Sequence, residues 1–549
     1  MKNTNSYMKK NWVRAVALAM AVLMLPVFVS CKQSKVQDEA PLVLPTPVPE
    51  PKPVSGGELR LPMPTNVNIS DPYLVNTEEM LTLYSLVYEG LLRIDNTGKL
   101  TASLAETWAS DPSGSVWTLS LRSAARWQDN KQRVTAADVK YSYDRIVGMG
   151  GISYYSQMIN KIESVSVVDD STVSIAMKEK GISPIYALTF PILRADSSAL
   201  TLSAGTGPYK VESATSASIS LKANDSWWKQ KPYIDSIVFL ARDNNETALA
   251  SYEAGQLNMV PTSTVSAGKY RDEGVTYVLD MLTQTAEMLI INQSNEKLRD
   301  VNVRKAIAYA LDRSEIIANI YMNRAQACDV PIAPDSWIYD GTSKVYDYDQ
   351  DKAIALMKEA GWSDVDSDGK LERDGRYYDE FMLTLLVSSS TDTTRMEAAQ
   401  MIADQLLKLG ITVEIKTANY TLGSSESELL TALAEGKFDI ALLGFNLGRD
   451  ANLASIIYRD GERNYGKITN AHLEDLVAAV NTATDEQTYM KAAAQLQQAL
   501  INEMPFIMLY FRQNSIVYSS AIKGLSDVRE PDIFRTVSKW YINTDAKAQ

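Results

Sequence analysis

The sequence predicts an α/β fold, and three stretches carry that expectation. Trp117, Leu119 and Leu121 alternate with Thr118 and Ser120, the period-two pattern of a half-buried strand. Ala353, Leu356, Met357 and Ala360 recur at helical spacing, and Gly361 follows as a stop. Met396, Ala399, Ile402, Leu406 and Leu409 form a second helical stripe, ended by Gly410. That stripe runs straight into Val413 and Ile415, which alternate with Glu414 and Lys416 as a strand. The methionines on these stripes read as core filler. No repeat of short period is present.

Composition narrows the chemistry. The 549 residues include 54 Lys+Arg, 67 Asp+Glu, one His and two Cys, with 45% hydrophobic and 22% charged residues. There is ample apolar material for globular cores. Zinc, iron–sulfur and multi-His sites lack ligands, since the chain has only Cys31, Cys328 and His472. The net charge of −13 argues against non-specific nucleic-acid binding.

In chain order, residues 1–30 read as a signal peptide. Lys2, Lys9, Lys10 and Arg14 precede an apolar run from Ala15 to Val29, too short to span a membrane comfortably. The end of the run, Phe28-Val-Ser-Cys31, resembles the bacterial lipoprotein processing site, in which the Cys is diacylated and becomes the new N-terminus. Phe28 departs from the usual Leu there. Cleavage would leave 519 residues and a formal charge of −17, because the leader carries four cations and no acid. Lipidation of Cys31 would leave Cys328 without a disulfide partner, as an inert buried thiol. Residues 31–55 read as a tether: Pro41, Pro45, Pro47, Pro49, Pro51 and Pro53 favour extended polyproline II. The folded body begins at Gly56.

Within that body, Leu86-Val-Tyr-Glu-Gly-Leu-Leu-Arg-Ile-Asp95, Leu104-Ala-Glu-Thr-Trp108, Trp117-Thr-Leu-Ser-Leu-Arg122, Arg126-Trp-Gln-Asp129 and Val134-Thr-Ala-Ala-Asp-Val-Lys-Tyr-Ser-Tyr143 follow one another. In words, order and spacing they resemble the signature of family 5 solute-binding proteins, the oligopeptide, dipeptide and nickel receptors of ABC importers. Gly205-Thr-Gly-Pro-Tyr-Lys210, Trp227 to Ile237, Val303 to Arg313, Lys358-Glu-Ala-Gly-Trp362 and Met504 to Tyr510 continue the resemblance. It implies a two-lobed periplasmic-binding-protein fold, class II, of the large peptide-binding subtype. Lobe I would comprise residues 56–285 plus 510–549, with an inserted subdomain at about 78–182, and lobe II residues 286–509. The lobes would close around a ligand by hinge motion, with the chain crossing near Glu287 and near Pro505.

Candidate sites follow from both readings. Gly205-Thr-Gly-Pro-Tyr209 lacks phosphate-loop spacing and reads as a structural turn. Phe438 to Asn446 resembles the strand leading to the family's ligand loop. Peptide-binding members carry there a Trp and, three positions later, an Asp for the peptide ammonium. Phe445 and Gly448 stand in those places, so the acid is missing, and Asp450 is the candidate substitute. Asn446, Asn76, Thr77 and Asn292 are further ligand-binding candidates, with Trp337 and Tyr458 as aromatic walls. Asp364, Asp366, Asp368 and Gly369 fall at positions 1, 3, 5 and 6 of a calcium loop, but position 12 is Gly375, with Asp374 one place early. His472, in Asn470-Ala-His-Leu-Glu-Asp475, reads as a surface residue at a helix start, and no nucleophile motif supports hydrolysis.

The expected protein is a monomeric, non-enzymatic receptor, lipid-anchored to the outer face of the bacterial cytoplasmic membrane. It needs no cofactor beyond a structural calcium. It would capture peptides or a peptide-like solute and deliver them to ABC permease subunits. The same role for an oligosaccharide, opine-like compound or chelated metal stays open, as does a ligand-sensing role.

Overall fold

Two long strands, Thr276–Ile291 and Phe506–Ser519, organise the molecule. The computed structural model describes residues 52–65, 71–75, 77–129, 132–196, 204–271, 274–343, 346–373, 379–389, 393–420, 427–448, 451–530 and 532–543. The signal peptide, Cys31, nearly all of the tether, Asn76, Asp374 and Asp450 lie outside the described residues. The Gly56 N–H donates to the Tyr233 carbonyl at 2.8 Å, so the body is already engaged at that residue.

Lobe I is built on a four-stranded sheet in the order Glu58–Pro64, Ser236–Arg242, Ser218–Ala223, Tyr209–Ala214. Leu59, Leu61 and Met63 point inward from the first of these strands and are buried. A second, antiparallel sheet orders Ala105–Ser110, Val116–Leu121, Thr172–Met177 and Ile162–Asp169. Trp117, Leu119 and Leu121 are buried on its inner face, as their alternation predicts. Helix Ala136–Met149 packs on this sheet, and the Thr135 N–H at its start donates to the Asp138 carboxylate at 2.8 Å. The glycine turn at 205–209 lies against the end of helix Glu78–Val87. A Cβ on Gly205 would sit 1.9 Å from the Val87 carbonyl oxygen, and one on Gly207 2.4 Å from that of Leu86. Gln128 Nε2 holds the turn by donating to the carbonyls of Gly207 (3.0 Å) and Tyr209 (2.6 Å). Close backbone approach therefore accounts for these glycines, and a strand follows at Tyr209.

Lobe II holds the mixed part of the large sheet. Met382–Ser388 runs parallel to both Thr412–Ala418 and Ile440–Asn446, and its buried, nearly continuous apolar run suits a parallel strand. Helix Gln350–Glu359 buries Ala353 and Met357, and helix Thr393–Lys408 buries Ala399, Ile402 and Leu406. Gly361 (φ +82°) and Gly410 (φ +90°) follow them in the left-handed region, which explains both stop signals.

The lobes share the two long strands. Thr276–Leu282 pairs with Gln513–Ser519, and Ala286–Ile290 pairs with Phe506–Phe511, with a register shift between Leu282 and Ala286. The irregularity covers 283–286, beside Glu287, on one strand and 511–513 on the other. Pro505 precedes the strand, and its carbonyl is tied to Gln293 Nε2 at 3.2 Å. The lobes touch along further backbone bonds, Trp337 N–H to Thr97 O and Ile182 N–H to Ala483 O, both 2.9 Å.

Candidate functional site

A cavity of about 440 Å³, part of it open to solvent, lies where the chain crosses between lobes. Thr283, Gln284 and Phe511 of the crossing strands form its floor. The segment 331–338 and residues Leu447, Gly448 and 451–453 wall it from lobe II, and Arg529 from the C-terminal tail of lobe I. Both kinds of irregularity that shape it come from the strands. The Thr283 hydroxyl donates to the Arg512 carbonyl (3.1 Å) and accepts from the Thr285 N–H (3.1 Å), bracing the register shift. The Leu447 N–H donates to the Gln284 carbonyl at 3.1 Å, which aims the loop after Ile440–Asn446 over the floor.

Beneath this crossing sits a buried charge. Glu287 is wholly buried, and Arg395 grips it bidentately, Nε to Oε2 at 3.0 Å and Nη2 to Oε1 at 2.7 Å. Arg512 adds a second guanidinium at 3.9 Å. The pair passes over Gly444, where a Cβ would lie 2.6 Å from Arg395 Nη2. Glycine at that position in the strand is what lets Arg395 reach.

The structure brings Gly448 into the cavity wall but redistributes most of the other candidates. Phe445 is buried in the core with Arg463 over its ring at 5.7 Å, and Asn446, paired with Thr285, is exposed; neither lines the cavity, which begins one residue later at Leu447. The strand ends at Asn446, and the cavity is lined by the loop that follows it. Thr77 caps helix Glu78–Val87, its hydroxyl accepting from the Met80 N–H at 3.3 Å. Asn292 is buried and spent on backbone, donating to Gly436 O (3.2 Å) and Phe438 O (2.9 Å) and accepting from Ser294 N–H (3.0 Å). Trp337 stacks on Tyr489 with ring centres 5.7 Å apart, backing the wall made by its neighbours Ser336 and Ile338. Tyr458 ends the short helix Ala454–Ile457, half-buried, with its carbonyl accepting from Asn464 Nδ2 at 3.0 Å. Sequence reasoning missed Thr283, Gln284, Ala451, Asn452, Phe511 and Arg529. Phe511 adjoins a resemblance segment, whereas Arg529 sits in a polar stretch without a pattern.

In the acidic loop, carboxylate oxygens of Asp364, Asp366, Asp368 and Glu372, the last at loop position 9, lie within 4.8 Å of one another. Asp374, the fourth expected ligand, lies outside the described residues. Gly369 turns the loop at φ +87°, and the Asp364 carboxylate accepts its N–H at 3.0 Å. Lys370 Nζ is 3.8 Å from Asp368 and 2.9 Å from Glu380.

Two groups that could carry covalent chemistry are not among the residues lining the cavity. His472 is largely exposed, with Nδ1 2.6 Å from Glu503 Oε1. Cys328 is fully buried, its thiol donating to the Val330 carbonyl at 3.1 Å, and burial pushes its pKa up to about 12.

Two lobes joined by paired crossing strands, with a cavity at the crossing, are the architecture of a two-lobed solute-binding protein. The chain belongs to the bacterial extracellular solute-binding proteins, family 5: the family's middle-region model matches residues 99–466. It is similar to the oligopeptide-binding protein AppA of Bacillus subtilis, 24% identical over 506 residues, covering 86% of this chain and 90% of that protein. It is likewise similar to the dipeptide-binding protein of Escherichia coli, 26% identical over 451 residues, covering 75% and 81%. Among solved structures, the nickel ABC transporter protein from Bacillus halodurans superposes with a TM-score of 0.76 at 22% identity, covering 90% of this chain and 99% of that one. The two-lobed α/β architecture and the binding role are thereby shared with the family.

Proposed function

We propose that the protein is the substrate-binding component of an ABC importer, capturing peptides or a peptide-like solute in the cavity at the lobe crossing and presenting it to permease subunits. The observation that carries this reading is the position of the cavity: its walls come from both lobes and its floor from the two strands that join them, so a ligand there favours the closed form by touching both sides. His472 and Cys328 lie outside the wall, which supports binding without chemistry. The relatives' printed roles, oligopeptide and dipeptide binding, make peptides the leading class.

Gly448 favours a second reading, a non-peptide solute such as an oligosaccharide, an opine-like compound or a chelated metal. It lines the cavity where an ammonium-binding acid would stand, and glycine offers no counter-charge. Mass spectrometry of solute released by denaturing freshly purified protein tests both readings. Peptides are expected; recovery of a sugar or metallophore would replace the peptide assignment, and no bound solute from cells grown on peptides would count against capture.

The protein works outside the cytoplasm, and among the described residues no helix is long and apolar enough to cross a membrane. Anchoring through diacylated Cys31, with residues 32–55 as spacer, is the route we propose for holding it near the permease. The Asp364, Asp366, Asp368 and Glu372 cluster supports a structural calcium in lobe II, since hard oxygen donors at this spacing suit that ion.

A further inference from the structure

Outside the residues that line the cavity, two turns of lobe I meet one corner of lobe II through backbone. The first turn joins Ala105–Ser110 to Val116–Leu121, and the Asp111 carboxylate fixes it by accepting from the Ser115 and Val116 N–H groups, both at 3.0 Å. The second follows Thr172–Met177, and its Gly181 N–H donates to the Gly114 carbonyl at 3.1 Å, tying the two turns together. The corner is the link between helices Ala471–Thr482 and Glu486–Glu503. Across the lobe boundary the Ile182 N–H donates to the Ala483 carbonyl at 2.9 Å, and both residues are buried.

Two glycines let these surfaces meet. A Cβ on Gly181 would sit 2.5 Å from the Asn481 carbonyl oxygen and 2.8 Å from that of Ala483, and one on Gly114 2.7 Å from Thr484 Cγ2. The two oxygens belong to the last turn of a helix and its cap, so they cannot swing aside as a side-chain end can. A further contact at this corner, Lys99 Nζ to Glu486 Oε2 at 2.7 Å, is open to solvent on both sides and contributes little. The buried backbone bond and the glycine contacts therefore carry the junction. Asn481 also joins it to the solute site: its Nδ2 donates at 3.2 Å to Oδ1 of Asn452, which lines the cavity.

We infer that Gly114, Gly181 and residues 481–484 form a closure seat, which holds the two lobes together through contacts that include no solute atom. The inference rests on the cavity at the lobe crossing being the solute site. Two consequences follow from the chemistry of the seat. The closed form is populated before solute arrives, because protein meets protein there. The seat also stabilises the closed form by the same amount whatever the cavity holds, so it multiplies every solute's affinity by one common factor and leaves preference to the cavity wall.

The test measures the distance between the lobes in the full chain. Spin labels go on through A137C and Q495C, exposed positions on helices Ala136–Met149 of lobe I and Glu486–Glu503 of lobe II. The background carries Cys31→Ala, and Cys328 is sealed from the label by burial. Double electron–electron resonance on refolded, solute-free protein compares this background with G181A and G255A. Gly255 also has a positive φ (+71°), but a Cβ there meets nothing within 4 Å, so G255A carries the backbone strain without the collision. The background and G255A should show the closed distance, and in G181A that population should fall about tenfold in favour of a longer one. Calorimetry with a pool of tri- to pentapeptides should find every affinity about tenfold weaker in G181A, with the order of preference kept. An unchanged closed distance in G181A would overturn the seat, as would a background without the closed distance. Equal loss in G255A would overturn it too, reducing the effect to backbone strain. Should G181A fail to fold, G114A with and without T484S decides: T484S removes the methyl that alanine at 114 would strike, so it should restore the closed population that G114A loses, and no rescue would overturn the seat. The distances need no solute, so failure of the pool to bind would overturn the peptide reading alone.

Discussion

Single residues decide how charge is handled in this molecule. Glu287 has no contact with solvent, and its stability depends on Arg395. Arg395→Ala should destabilise the fold by about 3–5 kcal/mol, because it strands a buried carboxylate. A double change of Glu287→Gln with Arg395→Met should recover much of that loss, since the pair rather than either charge is what the interior tolerates; denaturant unfolding of the wild type and the two variants checks this. At Cys328 burial acts on a thiol instead. Its folded pKa is raised to about 12 from an ordinary 9, so the folded state keeps a proton that the unfolded state loses. That contribution to stability is complete below pH 9 and disappears as pH rises through 12. At pH 9.5 a disulfide reagent should label Cys328 only at the rate of opening, with immediate labelling in denaturant; rapid labelling of native protein would mean the thiol is not sealed in.

At the scale of elements, the turns and stripes were legible and the loops were not. Gly361 and Gly410 end their helices because both adopt positive φ, a property that glycine announces in sequence. Trp117, Leu119 and Leu121 were equally plain, since period-two alternation has few other physical causes. The ligand loop was harder. Resemblance located it to within a residue or two, yet Phe445 lies within the strand and the core, whereas the cavity is lined from Leu447 onward, where the strand has ended. The acidic loop behaved similarly: Asp364, Asp366 and Asp368 were readable from spacing, whereas Glu372 joins them only because the short strand at Glu372–Arg373 folds back on Trp362–Ser363. If this cluster holds calcium, EDTA should lower the melting temperature by several degrees and excess calcium should restore it. Asp366→Asn should blunt both shifts, and a melting curve indifferent to EDTA would remove the metal.

At the scale of the whole molecule, the proposed lipid anchor and ligand capture are separable. Cys31→Ala should move the protein from the membrane fraction to the medium or periplasm while leaving solute affinity unchanged, because the tether at 31–55 stands between the leader and the folded body. Fractionation with immunoblotting reads the first, and calorimetry on the released protein the second. Continued membrane retention of the variant would point to an anchor other than the lipid.

By itself the sequence determined the α/β class, the helix stops, the strand faces and the family, each of which depends on local periodicity or on words in fixed order. It also argued against multi-Cys and multi-His metal sites, since the chain has only two Cys and one His. Only the tertiary structure decided which residues line the cavity. The floor at Thr283, Gln284 and Phe511 exists because two strands over 200 residues apart in the chain pair across a register shift. Arg529 meets Asn96 and Asp335 from three separate parts of the chain, and a polar loop residue carries no mark of the partners it will find. Binding sites made by long-range convergence leave no period to read, whereas cores made by repeated burial do.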